Sequence, residues 1–333
     1  MAAGFQPCKR DSCGGGALAP HSLIPANVDY TDAECGAKAP PPQQTTAPVN
    51  IKSALLAARN PDGGWPYYAG KTSRLEPTSW ALLALHAAGE RVSIDPLLAW
   101  PRRDGWFLDR SSDAVNVGFN GLAAIVLRSL NAPADTLASL GKALVAMKGQ
   151  KLPASPANRQ DNSLQGWAWT DGTFSWVEPT AWGLIALKRL GRHGEVAAVA
   201  RIEEAERLLV DRVCQQGGWN FGNADVLGTP LEPYVPATAL GLLAMADRRS
   251  IEPVARSFRY LVAHRLSEHS GMALGLSRMA LGVYDAAADD VGAAIDEAWK
   301  RSAFLGNLHV TALALYAQTA SAGRYEAFRV DPG

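Results

Sequence analysis

Gln215-Gln216-Gly217-Gly218-Trp219, followed from Glu232 by EPYVPATALGLLAM, couples a glycine turn and a tryptophan to a run of small and apolar residues. The same coupling recurs. Gly63-Gly64-Trp65 precedes EPTSWALLALHAAG from Glu76, Gly105-Trp106 precedes NVGFNGLAAIVLRSL from Asn116, and Gly166-Trp167 precedes EPTAWGLIALKRLG from Glu178. Two further runs lack the tryptophan: HSGMALGLSRMALG from His269 and NLHVTALALYAQTA from Asn307. Self-similarity of this kind marks stacked units that bury a shared core.

Between these runs lie more polar stretches at about 50–59, 93–99, 134–148, 194–213, 251–266 and 286–302. Their charges fall at helical spacing, as in Arg201, Glu204, Arg207 and Asp211, so each reads as a helix with one wet face. A helix apolar nearly all round must be buried on every side. Six inner helices enclosed by six outer ones satisfy both types. Strand signals are nearly absent, and the chain reads as an all-α, (α/α)6 toroid.

Local signals agree. Glycine before each Trp suits a turn with positive φ. Pro77, Pro179 and Pro233 are read into first helical turns, where no backbone donor is lost, and Gly89 and Gly191 are read as helix stops. Trp65, Trp106, Trp167 and Trp219 are expected to wedge between neighbouring hairpins.

The rest of the 333-residue chain sets bounds. Lys plus Arg and Asp plus Glu are 32 each, which leaves no surplus to hold a nucleic-acid backbone or an anionic membrane. No window reads as a membrane span, and no secretory leader is visible, so the expected location is cytoplasmic. Residues 1–49 carry Gly14-Gly15-Gly16 and Pro40-Pro41-Pro42 and read as an extended or disordered tail, a candidate site for a protein partner. The toroid is expected over 50–323, with a short C-terminal tail over 324–333. Cys8, Cys13 and Cys35 with His21 have no standard finger spacing; a tail with free thiols is the alternative to a small zinc site.

The Gln215–Trp219 element, with Gln165-Gly166-Trp167, resembles the Gln-Trp repeats of squalene–hopene cyclases and is similar to the Gly-Gly turns of protein prenyltransferase β subunits. The resemblance covers residues 50 to about 322. It implies an apolar, aromatic-lined central cavity that takes an isoprenoid. Full-length triterpene cyclases have two such barrels and this chain has room for one, which implies a single-barrel, atypical member.

The family's cyclases protonate an alkene from an Asp-x-Asp-Asp-Thr motif at an inner-helix start. The matching segment here is Trp176-Val177-Glu178-Pro179-Thr180. Glu178 takes the place of the middle, proton-donating Asp, while Trp176 and Pro179 replace its neighbours. The same Glu-Pro pair occurs at Glu76 and Glu232. Three carboxyls at one mouth would raise one another's pKa and serve acid–base chemistry; alternatively, each only charges a helix N-terminus. Trp80 and Trp182 follow Glu76 and Glu178 by four residues, on the same helical face, where indoles can line a cavity or serve as core. Phe119, Tyr234 and Tyr316 are weaker candidates of that kind. Prenyltransferases hold zinc with an Asp-x-Cys pair and a later His. His309 falls near that His, but the pair would map near Glu232 and Tyr234, where no Cys stands. A zinc thiolate site is therefore not expected, nor is a cofactor. His309 and the neighbouring His269 remain candidates for substrate contact.

Three functional classes stay open. An isoprenoid-handling enzyme needs an apolar cavity with Glu178 in its wall. A catalytically silent lipid-binding or scaffold toroid would have a filled cavity. A carbohydrate-active toroid would need a polar groove with paired carboxylates.

Overall fold

The computed structural model describes residues 50–156, 159–191, 196–321 and 325–330. The cysteines and histidine of the N-terminal tail lie outside the described residues. Twelve α-helices are found among the described residues, alternating between two types. The inner set is α2 (Leu75–Ala87), α4 (Val117–Ser129), α6 (Val177–Leu190), α8 (Val235–Ala244), α10 (Gly271–Val283) and α12 (Leu308–Thr319). The outer set is α1 (Ile51–Ala57), α3 (Asp95–Leu98), α5 (Ala134–Ala146), α7 (Val196–Asp211), α9 (Glu252–His264) and α11 (Asp289–Ser302). Each inner helix packs on the next, and α12 packs on α2, so the inner ring closes. All residues of α2 from Leu75 to Leu85 are buried, as a helix enclosed on every side requires. The described residues belong to one compact unit, Thr46–Gly333.

Inner helices start by two chemistries. Asn116, Ser270 and Asn307 cap α4, α10 and α12, their side chains accepting from the backbone N–H groups of Phe119, Ala273 and Val310 at 3.0, 3.1 and 3.2 Å. Helices α2 and α6 have no side-chain cap and instead carry Glu76 and Glu178 in their first turns.

Trp65, Trp167 and Trp219 are wedges between hairpins. The indole N–H groups of Trp65, Trp167 and Trp219 donate to Leu55, Leu144 and Leu209, in the last turns of α1, α5 and α7, at 2.7, 3.0 and 2.7 Å. Their backbone N–H groups donate to Thr78, Thr180 and Thr238 Oγ1 on α2, α6 and α8, at 2.9, 3.0 and 3.0 Å. Each Trp thus pins one outer helix to the inner helix that follows. The threonine also explains the glycine. A Cβ on Gly166 would stand 2.2 Å from Thr180 Oγ1, although Gly166 has no positive φ. There the glycine serves close approach rather than turn geometry.

Three expectations need correction. In the second hairpin, where β1 (Arg102–Arg103) pairs with β2 (Trp106–Phe107), Trp106 is half-buried and Phe107 takes the wedge position, exchanging hydrogen bonds with the Asn120 side chain at 2.8 and 3.0 Å. In the fourth, a hairpin of β3 (Asp225–Val226) and β4 (Thr229–Pro230) lengthens the connection. The threonine lies 13 residues after the tryptophan at 65/78 and 167/180, but 19 after it at 219/238. Helix α8 therefore begins at Val235, Pro236 rather than Pro233 occupies its first turn, and Glu232 stays outside it. Finally, Arg201 does not face water. It is 2% exposed, donates to the Gln165 and Gly166 carbonyls at 2.6 Å, and lies 3.8 Å over the Trp167 ring. Burial lowers its pKa to about 10.

The C-terminal residues 325–330 also lie against the ring, with Tyr325, Ala327, Phe328 and Val330 buried. The Tyr325 ring occupies the space that Gly282 leaves on α10, where a Cβ would come within 2.2 Å of it.

Candidate active site

Two inner helices on either side of α4 direct their side chains to a common point. The Trp80 ring on α2 and the Trp182 ring on α6 lie 6.0 Å apart, edge to face. Because α4 stands between these helices in the ring, the contact crosses the lumen. Tyr316 of α12 is 6.0 Å from Trp80. Phe328 completes the cluster, 5.7 Å from Trp80 and nearly parallel to it, 5.6 Å from Tyr316 and 6.1 Å from Trp182. All four rings are buried, so the lumen holds an aromatic layer. Among the described residues the buried indole N–H of Trp80 has no hydrogen-bond partner, while that of Trp182 faces the Glu178 carboxyl one turn away.

One helical turn nearer the N-terminal ends, about 6 Å along the axis, lies an ionisable layer. Glu76, Glu178 and His309 each occupy the second residue of their helices, α2, α6 and α12. His309 Nε2 lies 3.4 Å from one Glu76 oxygen, and the Tyr67 hydroxyl donates to the other at 2.5 Å. Arg74 stands over the Tyr67 ring at 5.9 Å and pairs with Asp109 at 2.6 Å. The ring closes at this site, since the Leu308 N–H donates to the Tyr67 carbonyl at 2.8 Å.

Glu178 has a different environment from Glu76. Burial pushes its carboxyl up to about 7, and the nearby Glu76 carboxylate adds to the effect. The Trp182 indole works the other way and favours the charged form. At neutral pH, Glu178 therefore keeps much of its proton, while Glu76 is engaged by a phenol and an imidazole.

The other sequence candidates are placed elsewhere. Glu232 is exposed and accepts from the Gln216 amide at 2.9 Å, so of the three Glu-Pro carboxyls only those of Glu76 and Glu178 stand in first helical turns, beside His309. The reason is the β3–β4 insertion, which moves it out of the Glu76 and Glu178 position. His269 is exposed and precedes α10. Phe119 packs edge-on against Trp169 at 5.7 Å. Tyr234 is 43% exposed and pairs with Phe221 at 4.9 Å, on a cleft of about 400 Å³ that also contains Glu232 and Trp176. Tyr67 and Phe328 escaped the sequence reading. Tyr67 sits in an irregular loop, and Phe328 lies beyond the last repeat. Among the described residues no group of three or more His, Cys, Asp or Glu is placed to hold a metal ion, and no helix is long and apolar enough to cross a membrane.

The two rings of helices make the fold an all-α toroid. No family model matches the chain. It is 31% identical over 218 residues to drimenyl diphosphate synthase of Streptomyces showdoensis, covering 63% of this chain and 39% of that protein. Drimenyl diphosphate synthase of Streptantibioticus cattleyicolor is 31% identical over 216 residues, or 61% of this chain and 37% of that one. The matched stretch thus spans about two-fifths of the length of these relatives. Among solved structures, Candida albicans protein geranylgeranyltransferase-I in complex with GGPP aligns with a TM-score of 0.40 and 18% identity, over 55% of this chain and 51% of that one.

Proposed function

We propose that this protein is an isoprenoid-handling enzyme in which Glu178 starts the cyclisation of an apolar polyprenyl substrate by protonating an alkene. The observation that carries the reading is the place of the Glu178 carboxyl, in the first turn of α6 and one helical turn above the paired Trp80 and Trp182 rings, where burial lets it hold its proton near neutral pH. The likeness to two drimenyl diphosphate synthases supports an isoprenoid substrate.

The chemistry follows from the two layers. The Glu178 carboxyl gives its proton to one alkene carbon, forming a C–H bond and leaving a tertiary carbocation and a carboxylate. The carboxylate must be stabilised for this to proceed, and the Trp182 indole already favours that form. The electron-rich faces of the Trp80, Trp182 and Tyr316 rings stabilise the cation. Attack by a second alkene closes a carbon ring and moves the positive charge to the new tertiary carbon; a water molecule then takes a proton from the adjacent carbon, leaving an alkene, and solvent returns a proton to the Glu178 carboxylate. The Glu76 carboxylate, bonded to Tyr67 and beside His309, helps to retain the Glu178 proton and attracts the developing cation.

One observation favours a second reading, that of a silent toroid: Phe328 occupies part of the lumen. Incubation of the purified protein with C15 to C30 polyprenols and, separately, their diphosphates, followed by mass spectrometry, decides between them. The enzymatic reading expects a cyclised product that Glu178→Gln abolishes. Absence of product, or a product untouched by that substitution, overturns it.

A further inference from the structure

Two neighbouring hairpins, the third and the fourth, carry insertions that the ring does not need. Trp65 and Trp219 follow the ends of their outer helices, Ala57 and Asp211, by eight residues, whereas Trp167 follows Ala146 by 21. The fourth hairpin has the β3–β4 ribbon, and the first hairpin lacks both additions. In stacked repeats such insertions gather on the face that binds. Here they meet and are held. The Val177 N–H donates to the Phe221 carbonyl at 3.0 Å and the Gln150 N–H to the Thr173 carbonyl at 2.8 Å. Three buried polar side chains brace the loops from behind: Asn162 donates to the Pro153 carbonyl at 2.7 Å, Asn220 to the Asn223 carbonyl at 2.7 Å and Arg212 to the Asp161 carbonyl at 3.1 Å. The loops enclose the cleft of about 400 Å³, a volume typical of small-molecule sites.

The lining of the cleft decides its chemistry. Phe174 and Trp176 of the third hairpin stack at 5.0 Å, and Phe221 and Tyr234 of the fourth pair at 4.9 Å. Phe174, Phe221 and Tyr234 are exposed to water although the loops that carry them are braced. The charge is one-sided. Glu232 lines the cleft and forms no ion pair among the described residues, its partner being the Gln216 amide. Arg256 and Arg259, in the adjoining cleft, pair with Glu252 at 3.2 and 3.3 Å. Arg212 is the one basic side chain in the lining among the described residues, and Asp211 pairs with it. Uncovered aromatic faces with a carboxylate and no unpaired cation attract positive charge and disfavour an anionic head such as a diphosphate. We propose that this cleft binds a small organic cation, an ammonium on an apolar body, with the aromatic rings around the ammonium and Glu232 as its counter-charge. None of the lining residues belongs to the ionisable layer, so the site does not depend on the isoprenoid reading.

The test uses the full chain and isothermal titration calorimetry, which needs no turnover. Choline chloride is titrated beside neohexanol, its uncharged isostere in which carbon replaces the ammonium nitrogen, and beside methyl glucoside, a neutral polyol that also stacks on aromatic rings. The expected result is that choline binds and neohexanol binds about tenfold more weakly or not at all. Tyr234→Ala and Glu232→Gln should each weaken choline about three- to tenfold, and Trp176→Ala more, while Glu178→Gln leaves it unchanged. Should Trp176→Ala fail to fold, the substitutions at exposed Tyr234 and Glu232 carry the test. Equal binding of choline and neohexanol overturns the cation and leaves an apolar cleft. Binding of methyl glucoside in place of choline overturns it in favour of a sugar. Choline binding that Glu178→Gln removes and the cleft variants do not would move the cation to the ring interior and overturn the site. No binding of choline by wild type overturns the proposal and leaves the isoprenoid reading untouched.

Discussion

The third and fourth hairpins both carry a Gly-Trp turn followed by Glu-Pro, yet they place that glutamate in opposite environments. Glu178 lies inside the first turn of α6, mostly buried, with its carboxyl raised to about 7. Glu232 lies ahead of α8 in solvent, bonded to Gln216. The shared element is the hydrogen-bonded Trp–Thr pair, at 3.0 Å in both hairpins. Position relative to that threonine, two residues before it for Glu76 and Glu178, puts a side chain at the mouth of the lumen. A dipeptide that recurs without that spacing does not.

Substituting the two glutamates gives the largest contrast. Glu178→Gln is expected to lower product formation by about 10²–10⁴-fold, the range of a lost general acid, whereas Glu232→Gln stays within about twofold. Initial rates on whichever polyprenyl substrate turns over measure both. Wild-type activity should also fall as pH rises through about 7, as Glu178 loses its proton.

Stability against pH separates the hairpins next. The folded-state pKa of Glu178 is raised from 4.5 to about 7, so the native state binds the proton more tightly than the unfolded chain. That stabilisation is fully present below about 4.5 and is lost as pH rises through about 7, amounting to roughly 3 kcal/mol at most. Denaturant unfolding at pH 5 and pH 8 should show the loss in wild type and in Glu232→Gln, and a flatter profile in Glu178→Gln.

Substitution at the threonines should erase the contrast. Thr180→Val and Thr238→Val each leave a buried Trp backbone N–H without its acceptor and are expected to cost about 1–3 kcal/mol in either hairpin. A large difference between the two would show that the wedge is not the common element. The smallest effect belongs to Glu232→Gln, within about 0.5 kcal/mol by the same unfolding measurement, as for an exposed residue with one amide partner.

The ring itself was legible because its cause is local and repeated. All-round apolar runs and one-faced polar runs alternate, and the six runs of each type correspond to α1–α12. Trp80 and Trp182 were legible for a related reason, since spacing by four from a glutamate fixes a helical face. What spacing alone could not reveal were departures from the repeat. The Phe107 wedge replaces tryptophan with a smaller ring and moves by one residue, because the Asn120 amide supplies both donor and acceptor to it. The displacement of Glu232 depends on a two-stranded insertion whose strands are only two residues each, too short for any periodicity. Arg201 looked like solvent-facing charge because helical spacing reports the face and not what loops fold over it. Phe328 and Tyr67 reach the site by chain paths with no repeat to extrapolate from.

Glu76 and His309 stand 3.4 Å apart, yet one belongs to the first inner helix and the other to the last. The mouth therefore lies on the seam of the ring. Almost the whole domain must be made and wound before these two side chains can meet, and closing so long a loop is entropically slow. The rest of the helical ring can assemble hairpin by hairpin ahead of that event. The ionisable layer is therefore expected to be completed late in assembly, and a chain cut between α10 and α12 would retain many hairpins but lack His309 and Tyr316.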